Sequence, residues 1–380
     1  MKKNILLITS SDVDEEFVSS LKDSFKPLKA ARLVVLTEEQ YGGSAVTHLK
    51  TALRRLSLSF PGHVGAHKKS RTVRVKSSGK AAAAANGETK KSADKKLRKI
   101  RNSILRFEPA RIVALSPYAM ELAHKARKKS GFQTDIVGVS CSFTYDNAFF
   151  DLSTDGYTVQ NTEHKNKMTE MGFRPDRVFV AGFPLDAKKY GEDATAELKS
   201  RFCRLNKPTV LLNGGLGSRE IKDVYTMLSD QGDIINLLTR PGGNQKLTAE
   251  IRKNAEDKAL SNVVVVNKND SLDECLAVSD IVVTVYDAAV IYKALLLKKR
   301  VIAFGARNPL QENDLKFLAA KGVLSYAESY ADTVICIYKL LENGVNSETF
   351  ETDLELFMNA SPLADVTAVI SSLNEEPAQA

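Results

Sequence analysis

Short apolar runs alternate with amphipathic stretches from the first residues onward. "NILLITS" (4–10), "RLVVLTE" (32–38), "RIVALS" (111–116) and "DIVGVS" (135–140) are brief and rich in branched residues, which predicts buried strands. Between them, residues 12–25, 43–58, 93–106 and 117–129 repeat apolar positions at helical spacing. "YTVQNTEHKNKMTEMGF" continues with a strand and a helix, and "DRVFVAGFPLD" with a strand and a sharp turn. The scheme then repeats. Strands are predicted at 209–214, 234–240, 262–267, 280–285, 300–305 and 323–327, with helices between them. This alternation predicts an α/β fold of two doubly wound, Rossmann-like domains facing a cleft, divided near 185–206. Ligands of such sheets lie at the C-terminal ends of the strands.

The pattern fails between 60 and 92. "SSGKAAAAANGETKKSADKK" holds few large apolar residues, so a mobile, basic loop projecting from the first domain is expected. Charge is concentrated there. Residues 68–101 carry thirteen Lys/Arg against Glu88 and Asp94, while the whole chain has a net charge of only +8. The remainder is therefore slightly acidic. "ADKKLRKIRNSIL" adds a helix with Leu97, Ile100, Ile104 and Leu105 on one face and basic residues on the others. Lys95, Lys96, Arg98, Lys99 and Arg101 are candidates for docking on an anionic membrane surface, where each cation contributes about 1 kcal/mol. A sheet-covering helix shows the same stripe, and a solvated loop without a partner is the plainer alternative. Charge alone also suits nucleic acid, but aromatic interleaving is missing and nucleic acid is disfavoured as a partner.

Composition narrows the chemistry. The four cysteines (Cys141, Cys203, Cys275, Cys336) have neither metal-type nor redox-type spacing, which suits reduced core residues of a cytoplasmic protein. His48, His63, His67, His124 and His164 form no cluster, so neither a metal site nor a cofactor is expected. His48 and His164 sit in helical patterns and read as surface residues. The apolar start of "MKKNILLITSSDVDEE" is short and runs into acids, so it reads as a first strand and not as a secretory leader. No apolar run approaches the length of a membrane span, and a chain that is soluble or rests on a surface is expected.

"KPTVLLNGGLGSREIKDVYTML" takes an apolar run into glycines and then into a helical pattern. Glycines let a ligand approach the backbone, and a helix N-terminus favours an anion. The stretch lacks the Walker ending and the dinucleotide fingerprint spacing, so by itself it reads equally as a tight turn or a phosphate cradle.

The run "STDGYTVQNTEHKNKMTEMGFRPDRVFVAGFPLD" resembles the middle of the diacylglycerol glycosyltransferases, namely the monogalactosyldiacylglycerol synthases and processive diacylglycerol glucosyltransferases. More distantly, it resembles the peptidoglycan lipid-II-forming N-acetylglucosaminyltransferase. Asp155, Tyr157, Gly172, Val180, Gly182 and Pro184 carry the likeness. "KPTVLLNGGLGS" is similar to the family's glycine loop, "LLTRPGGNQKL" to its Gly-Asn-x-x-Leu element, and "NPLQENDLKFLAAKG" to its Gln-Glu loop. The likeness spans roughly residues 100–330 in order.

It implies a GT-B fold: residues 1–190 as an N-terminal acceptor and membrane-side domain, 191–360 as a nucleotide-sugar-binding domain, and 361–380 as a C-terminal helix and tail. It also implies a UDP-sugar donor, a lipid acceptor and a place on the inner face of the cell membrane. Donor contacts would come from Gly214, Gly215, Gly217, Ser218, Gly243, Asn244, Thr284, Gln311 and Glu312. Ordinary turns remain the alternative for Gly243 and Asn244, and a helix cap for Gln311 and Glu312.

The sequence departs from the family's donor loop, which here reads "TVYDAAVIYKAL". Asp287 and Ala288 stand at glycine positions, Lys293 at the position of the ribose-binding Glu, and Leu315 where an Asn is expected. Asp287 beside a diphosphate would repel it. Tyr286 reads as core or as a base-stacking ring. The acceptor-side Asp and His become Ser142 and Asp146, and in the N-terminal loop "TSSDVDEEF" the nearest candidates for the base are Asp14 and Glu15. A lipid glycosyltransferase is the first expectation. A degenerate relative kept for binding or regulation is the second, and a donor other than a UDP-sugar, with Lys293 meeting an added negative charge, is the third.

Overall fold

The structure is a computed structural model. It describes residues 3–10, 13–28, 31–42, 90–186, 195–203, 207–214, 220–241, 244–266, 270–345, 347–358 and 362–373. The expected helix at 43–58 and all of the 60–92 loop before Lys90 lie outside them. The chain divides into two compact units, Met1–Leu185 with Ser361–Ala380, and Asp186–Ala360. The division falls a few residues before the expected boundary at 190.

The first unit holds β1 (Lys3–Ile8), α1 (Glu15–Phe25), β2 (Ala31–Leu36), α2 (Glu38–Gly42), α3 (Lys90–Phe107), β3 (Arg111–Ala114), α4 (Pro117–Ser130), β4 (Asp135–Val139), β5 (Gly156–Val159), α5 (Thr162–Glu170) and β6 (Val178–Val180). Its sheet is parallel, in the order β2-β1-β3-β4-β5-β6. Parallel strands are covered on both faces, which is why their sequences are continuously apolar. Successive residues of β1 serve opposite faces. Leu6 and Ile8 pack with Leu97, Ile100 and Ile104 of α3, while Ile5 and Leu7 pack with Leu21 and Phe25 of α1. Each fully buried Leu or Ile contributes roughly 1.5–3 kcal/mol. Local signals set the helix ends. In α4 the Ser116 hydroxyl caps Ala119 N–H, Pro117 opens the first turn, and Gly131 closes the helix at φ +69.

The second unit holds α6 (Thr195–Phe202), β7 (Thr209–Asn213), α7 (Glu220–Leu228), β8 (Asn236–Arg240), α8 (Gln245–Asp257), β9 (Val263–Val265), α9 (Leu272–Val278), β10 (Ile281–Val285), α10 (Ala288–Leu296), β11 (Arg300–Phe304), α11 (Pro309–Ala320), β12 (Ser325–Tyr326), α12 (Tyr330–Glu342) and α13 (Glu348–Phe357). Its parallel sheet runs β12-β11-β10-β7-β8-β9. Counted from β7 as the first strand, that is 3-2-1-4-5-6, the order of dinucleotide-binding sheets.

The last helix, α14 (Pro362–Ser372), belongs to the first unit. Val366 and Ile370 enter the core beside Ile5 and Val113. The Arg111 guanidinium donates to the carbonyls of Ser371, at 2.5 Å, and Leu373. These bonds satisfy carbonyls that the helix end would leave unpaired.

Among the described residues, no helix is long and apolar enough to cross a membrane.

Candidate functional site

Each sheet reverses its strand order at one point: between β1 and β3 in the first unit, and between β7 and β10 in the second. Crevices outside the carboxyl ends of strands at such points are where doubly wound sheets bind ligands.

In the second unit, the ends of three adjacent strands form a polar row. Asn213 is in register with Arg240 on one side and Thr284 on the other. Asn213 Nδ2 donates to Thr284 Oγ1 at 3.2 Å, and the Thr284 hydroxyl donates onward to the Val285 carbonyl at 2.9 Å. Arg240 Nη1 reaches Asn213 Oδ1 at 3.4 Å, which is long for a hydrogen bond. Asn213 and Thr284 are fully buried; Arg240 is half-buried. Gly214 N–H donates to the Arg240 carbonyl at 3.0 Å. A Cβ on Gly214 would lie 3.3 Å from the Pro241 backbone, so the chain leaves β7 pressed against the end of β8.

In the first unit, the corresponding strand ends carry hydroxyls and amides. Ser10 Oγ and Ser116 Oγ share a hydrogen bond of 2.5 Å. Ser142 donates to the Thr144 carbonyl at 2.8 Å, and Gln160 donates to the Ser140 carbonyl. Asn161 donates to the Phe143 carbonyl at 2.9 Å and caps α5 by accepting from His164 N–H at 2.8 Å.

No family model matches the sequence, and no curated protein matches it. Solved structures do match. MurG of Acinetobacter baumannii aligns over 97% of this chain and 99% of its own at 11% identity, with a TM-score of 0.63. A glycosyltransferase from Rickettsia africae ESF-5 aligns over 99% and 100% at 13% identity, TM-score 0.59. The UDP-GlcNAc 2-epimerase of Neisseria meningitidis, bound to UDP-GlcNAc, aligns over 97% of both chains at 11% identity, TM-score 0.57. This is the GT-B fold. Identities this low carry the fold and nothing finer.

Several expected donor contacts of the GT-B reading have other duties. Gly215, Gly217, Ser218 and Gly243 lie outside the described residues. Gly214 stands at the end of β7. Thr284 is fully buried with its hydroxyl engaged on both sides, so it supports Asn213 and has no surface to offer a ligand. Asn244 caps α8, its Oδ1 accepting from Leu247 N–H at 3.0 Å. Gln311 completes a reciprocal cap: it donates its N–H to Asn308 Oδ1 and accepts from Arg307 N–H at 2.8 Å. Glu312 pairs with Lys316 one turn on at 2.6 Å.

The departures from the family loop are also explained locally. Asp287 is the N-cap of α10, accepting from Val290 N–H at 3.1 Å. Lys293 is buried and bound to Asp273 at 2.8 Å, which removes it as the cation for an added donor charge. The Tyr286 hydroxyl donates to the buried Asp314 carboxylate at 2.5 Å.

In the first unit, Asp14 caps α1, Glu15 is exposed beside it, and Asp146 accepts from Ala148 N–H in a local turn. Asp155 holds Arg127 at 2.6 Å and the Ile136 amide at 2.8 Å. The Tyr157 hydroxyl donates to Thr154 Oγ1 at 2.9 Å and accepts from Asp151 N–H at 2.8 Å. The Asp-x-Tyr pattern therefore knits the strand's entrance. A cavity of about 310 Å³, lined in part by Thr154, Asp155, Phe173 and Arg177, opens at that N-terminal edge, opposite the strand ends described above.

Two residues were misplaced by sequence reasoning. His164 is not on the surface. It is 2% exposed, it packs edge-on to Phe150 at 5.4 Å, neither ring nitrogen has a partner, and burial lowers its pKa to about 3. Lys96 is not a membrane contact. It falls four residues before Ile100 and so on the buried stripe of α3, bound to Glu38 at 2.8 Å and lying over the Tyr118 ring at 5.0 Å. Lys99 reaches the Gln40 carbonyl at 3.0 Å, while Lys95, Arg98 and Arg101 are exposed beside Leu105.

Arg240 was not singled out, although it closes a predicted strand and precedes Pro-Gly-Gly. Its significance depends on which neighbouring acids are already paired, and that is a long-range fact.

Proposed function

We propose that the chain binds a UDP-sugar at the C-terminal edge of its second sheet and transfers the sugar to the hydroxyl of a diacylglycerol-like lipid. The carrying observation is the 3-2-1-4-5-6 order, which puts a switch point between β7 and β10 where the glycine-bearing stretch begins at Gly214. Support comes also from structural neighbours described with UDP-GlcNAc or as glycosyltransferases. Inverting transfer needs a base at the acceptor and a neutraliser of the departing diphosphate. Glu15 and Asp146 are the carboxylates of the first unit that remain candidates for the base.

The membrane part of the reading rests on Lys95, Arg98, Arg101 and Leu105 of α3, an exposed basic row with an apolar member. Docking of this kind would bring the first unit to an anionic leaflet, on the cytoplasmic side. Arg98→Glu with Arg101→Glu should lower sedimentation with phosphatidylglycerol vesicles at least tenfold, at about 1 kcal/mol per charge, without moving the Tm. Sedimentation that is indifferent to these variants and to salt would remove this part.

A second reading keeps the fold without the reaction. Asp287 favours it, because its own carboxylate fills the N-terminus of α10 at the switch point. UDP release from UDP-glucose, UDP-galactose and UDP-GlcNAc, measured with diacylglycerol vesicles, separates the two. Lipid-dependent release supports the transferase; UDP binding without release under any combination supports the degenerate relative. Failure of UDP and all three UDP-sugars to give heat at millimolar concentration would end both.

A further inference from the structure

We infer that Arg240 is an anion-binding residue whose guanidinium receives the diphosphate of a nucleotide ligand on the β8 side of β7. The inference rests on the nucleotide-sugar reading above and names the residue that would give it charge.

The starting observation is a shortage of partners. A guanidinium carries five N–H donors. Arg240 makes one long contact, to Asn213, and its Nε is buried with no partner. Among the described residues no carboxylate pairs with it. The acids of the neighbouring α9 region are engaged elsewhere: Asp270 and Glu274 hold Arg201, and Asp273 holds Lys293. Cys275, which feels the Arg240 charge, stays a neutral thiol because burial pushes its pKa up to about 12. A cation left this way at the end of a strand is held in readiness for an anion from outside the chain.

Its placement fits that duty. Arg240 is the last residue of β8, in register with Asn213 next to the switch point, and its carbonyl receives Gly214 N–H. The buried Asn213–Thr284 pair keeps Asn213 Oδ1 turned toward Nη1. On the other side of β7, the N-terminus of α10 is already capped by the Asp287 carboxylate, which disfavours a second anion there. The two flanks of β7 are therefore unequal: one carries a fixed negative charge, the other an under-partnered positive one.

Calorimetry on the full chain tests this, with UDP, inorganic pyrophosphate and uridine as probes and Arg240→Gln, Arg240→Lys and the unchanged chain as proteins. Arg240→Gln should weaken UDP and pyrophosphate by about 10- to 100-fold, the range of a charge-assisted pair, and leave uridine unchanged. Arg240→Lys keeps the charge and loses the fork, so it should fall between. It also decides the matter if circular dichroism shows the Gln variant unfolded. Equal UDP affinity in a folded variant would overturn the inference while leaving the nucleotide reading intact. Pyrophosphate binding that Arg240→Gln weakens, with no binding of UDP, would keep Arg240 and remove the nucleotide. A chain that binds neither probe would remove both.

Discussion

The C-terminal edges of the two sheets occupy equivalent places in two similar folds and are built from different chemistry. The strand ends of the first carry hydroxyls and amides: Ser10 bonds Ser116, Ser142 bonds the backbone, and Gln160 and Asn161 reach carbonyls of neighbouring loops, while Gln160 Oε1 is buried without a partner. The second is a single line, Thr284 to Asn213 to Arg240, ending in a charge with donors to spare. Strand ends built of hydroxyls and amides suit neutral, hydroxylated ligands and gain less from an anion. An edge ending in an under-partnered guanidinium gains most from one.

The largest test of this contrast is pH. His164 lies beneath the first edge, buried and without a partner, with its pKa lowered from 6.5 to about 3 by burial. The unfolded chain takes up the proton below pH 6.5 and the folded chain does not. Stability should therefore be intact above 6.5 and fall as pH drops toward 3, by on the order of 4 kcal/mol from this group. Denaturant midpoints of the native chain and His164→Leu, followed from pH 7 to 4, read it. A slope that survives the substitution unchanged would show the imidazole to be solvated.

The next test asks whether one edge is redundant and the other serial. Asn213→Ala removes the link between Thr284 and Arg240 in a fully buried setting and should cost about 2 kcal/mol. Ser10→Ala leaves Ser116 still capping Ala119 N–H and should cost less than about 1 kcal/mol. Comparable losses would mean that the edges do not differ in the way described. The smallest expected effect is at Asp287. Asn also caps helices well, so Asp287→Asn should leave the Tm within about a degree and tighten UDP by no more than a few fold, through relief of repulsion. A large gain would move the anion to the α10 side of β7.

Much of the architecture was legible in the sequence. Buried parallel strands announce themselves as unbroken apolar runs, and "NILLI", "TVLLN" and "IVVTV" each became a strand. What remained hidden were polar residues whose partners lie far along the chain. Lys96 sits on the apolar stripe of α3, and its partners there, Glu38 58 residues earlier and the Tyr118 ring, come from distant parts of the chain. His164 is set in the polar run "TEHKNK", and its burial follows from Tyr145 and Phe150 packing over it. The Gln-Glu pair at 311–312 matched a donor motif in letters, while Asn308 three residues upstream makes the same stretch a helix cap. Motif spacing is a local property; which charges remain unpaired is a property of the whole unit.

Hydrogen exchange on the full chain, with and without saturating UDP, tests most directly whether the second edge is the anion site. The account predicts slowed exchange in peptides covering residues 209–228 and 236–250, and none in those covering 3–25 and 111–130. Protection confined to the first unit, or no protection at a UDP concentration that saturates calorimetric binding, would contradict it.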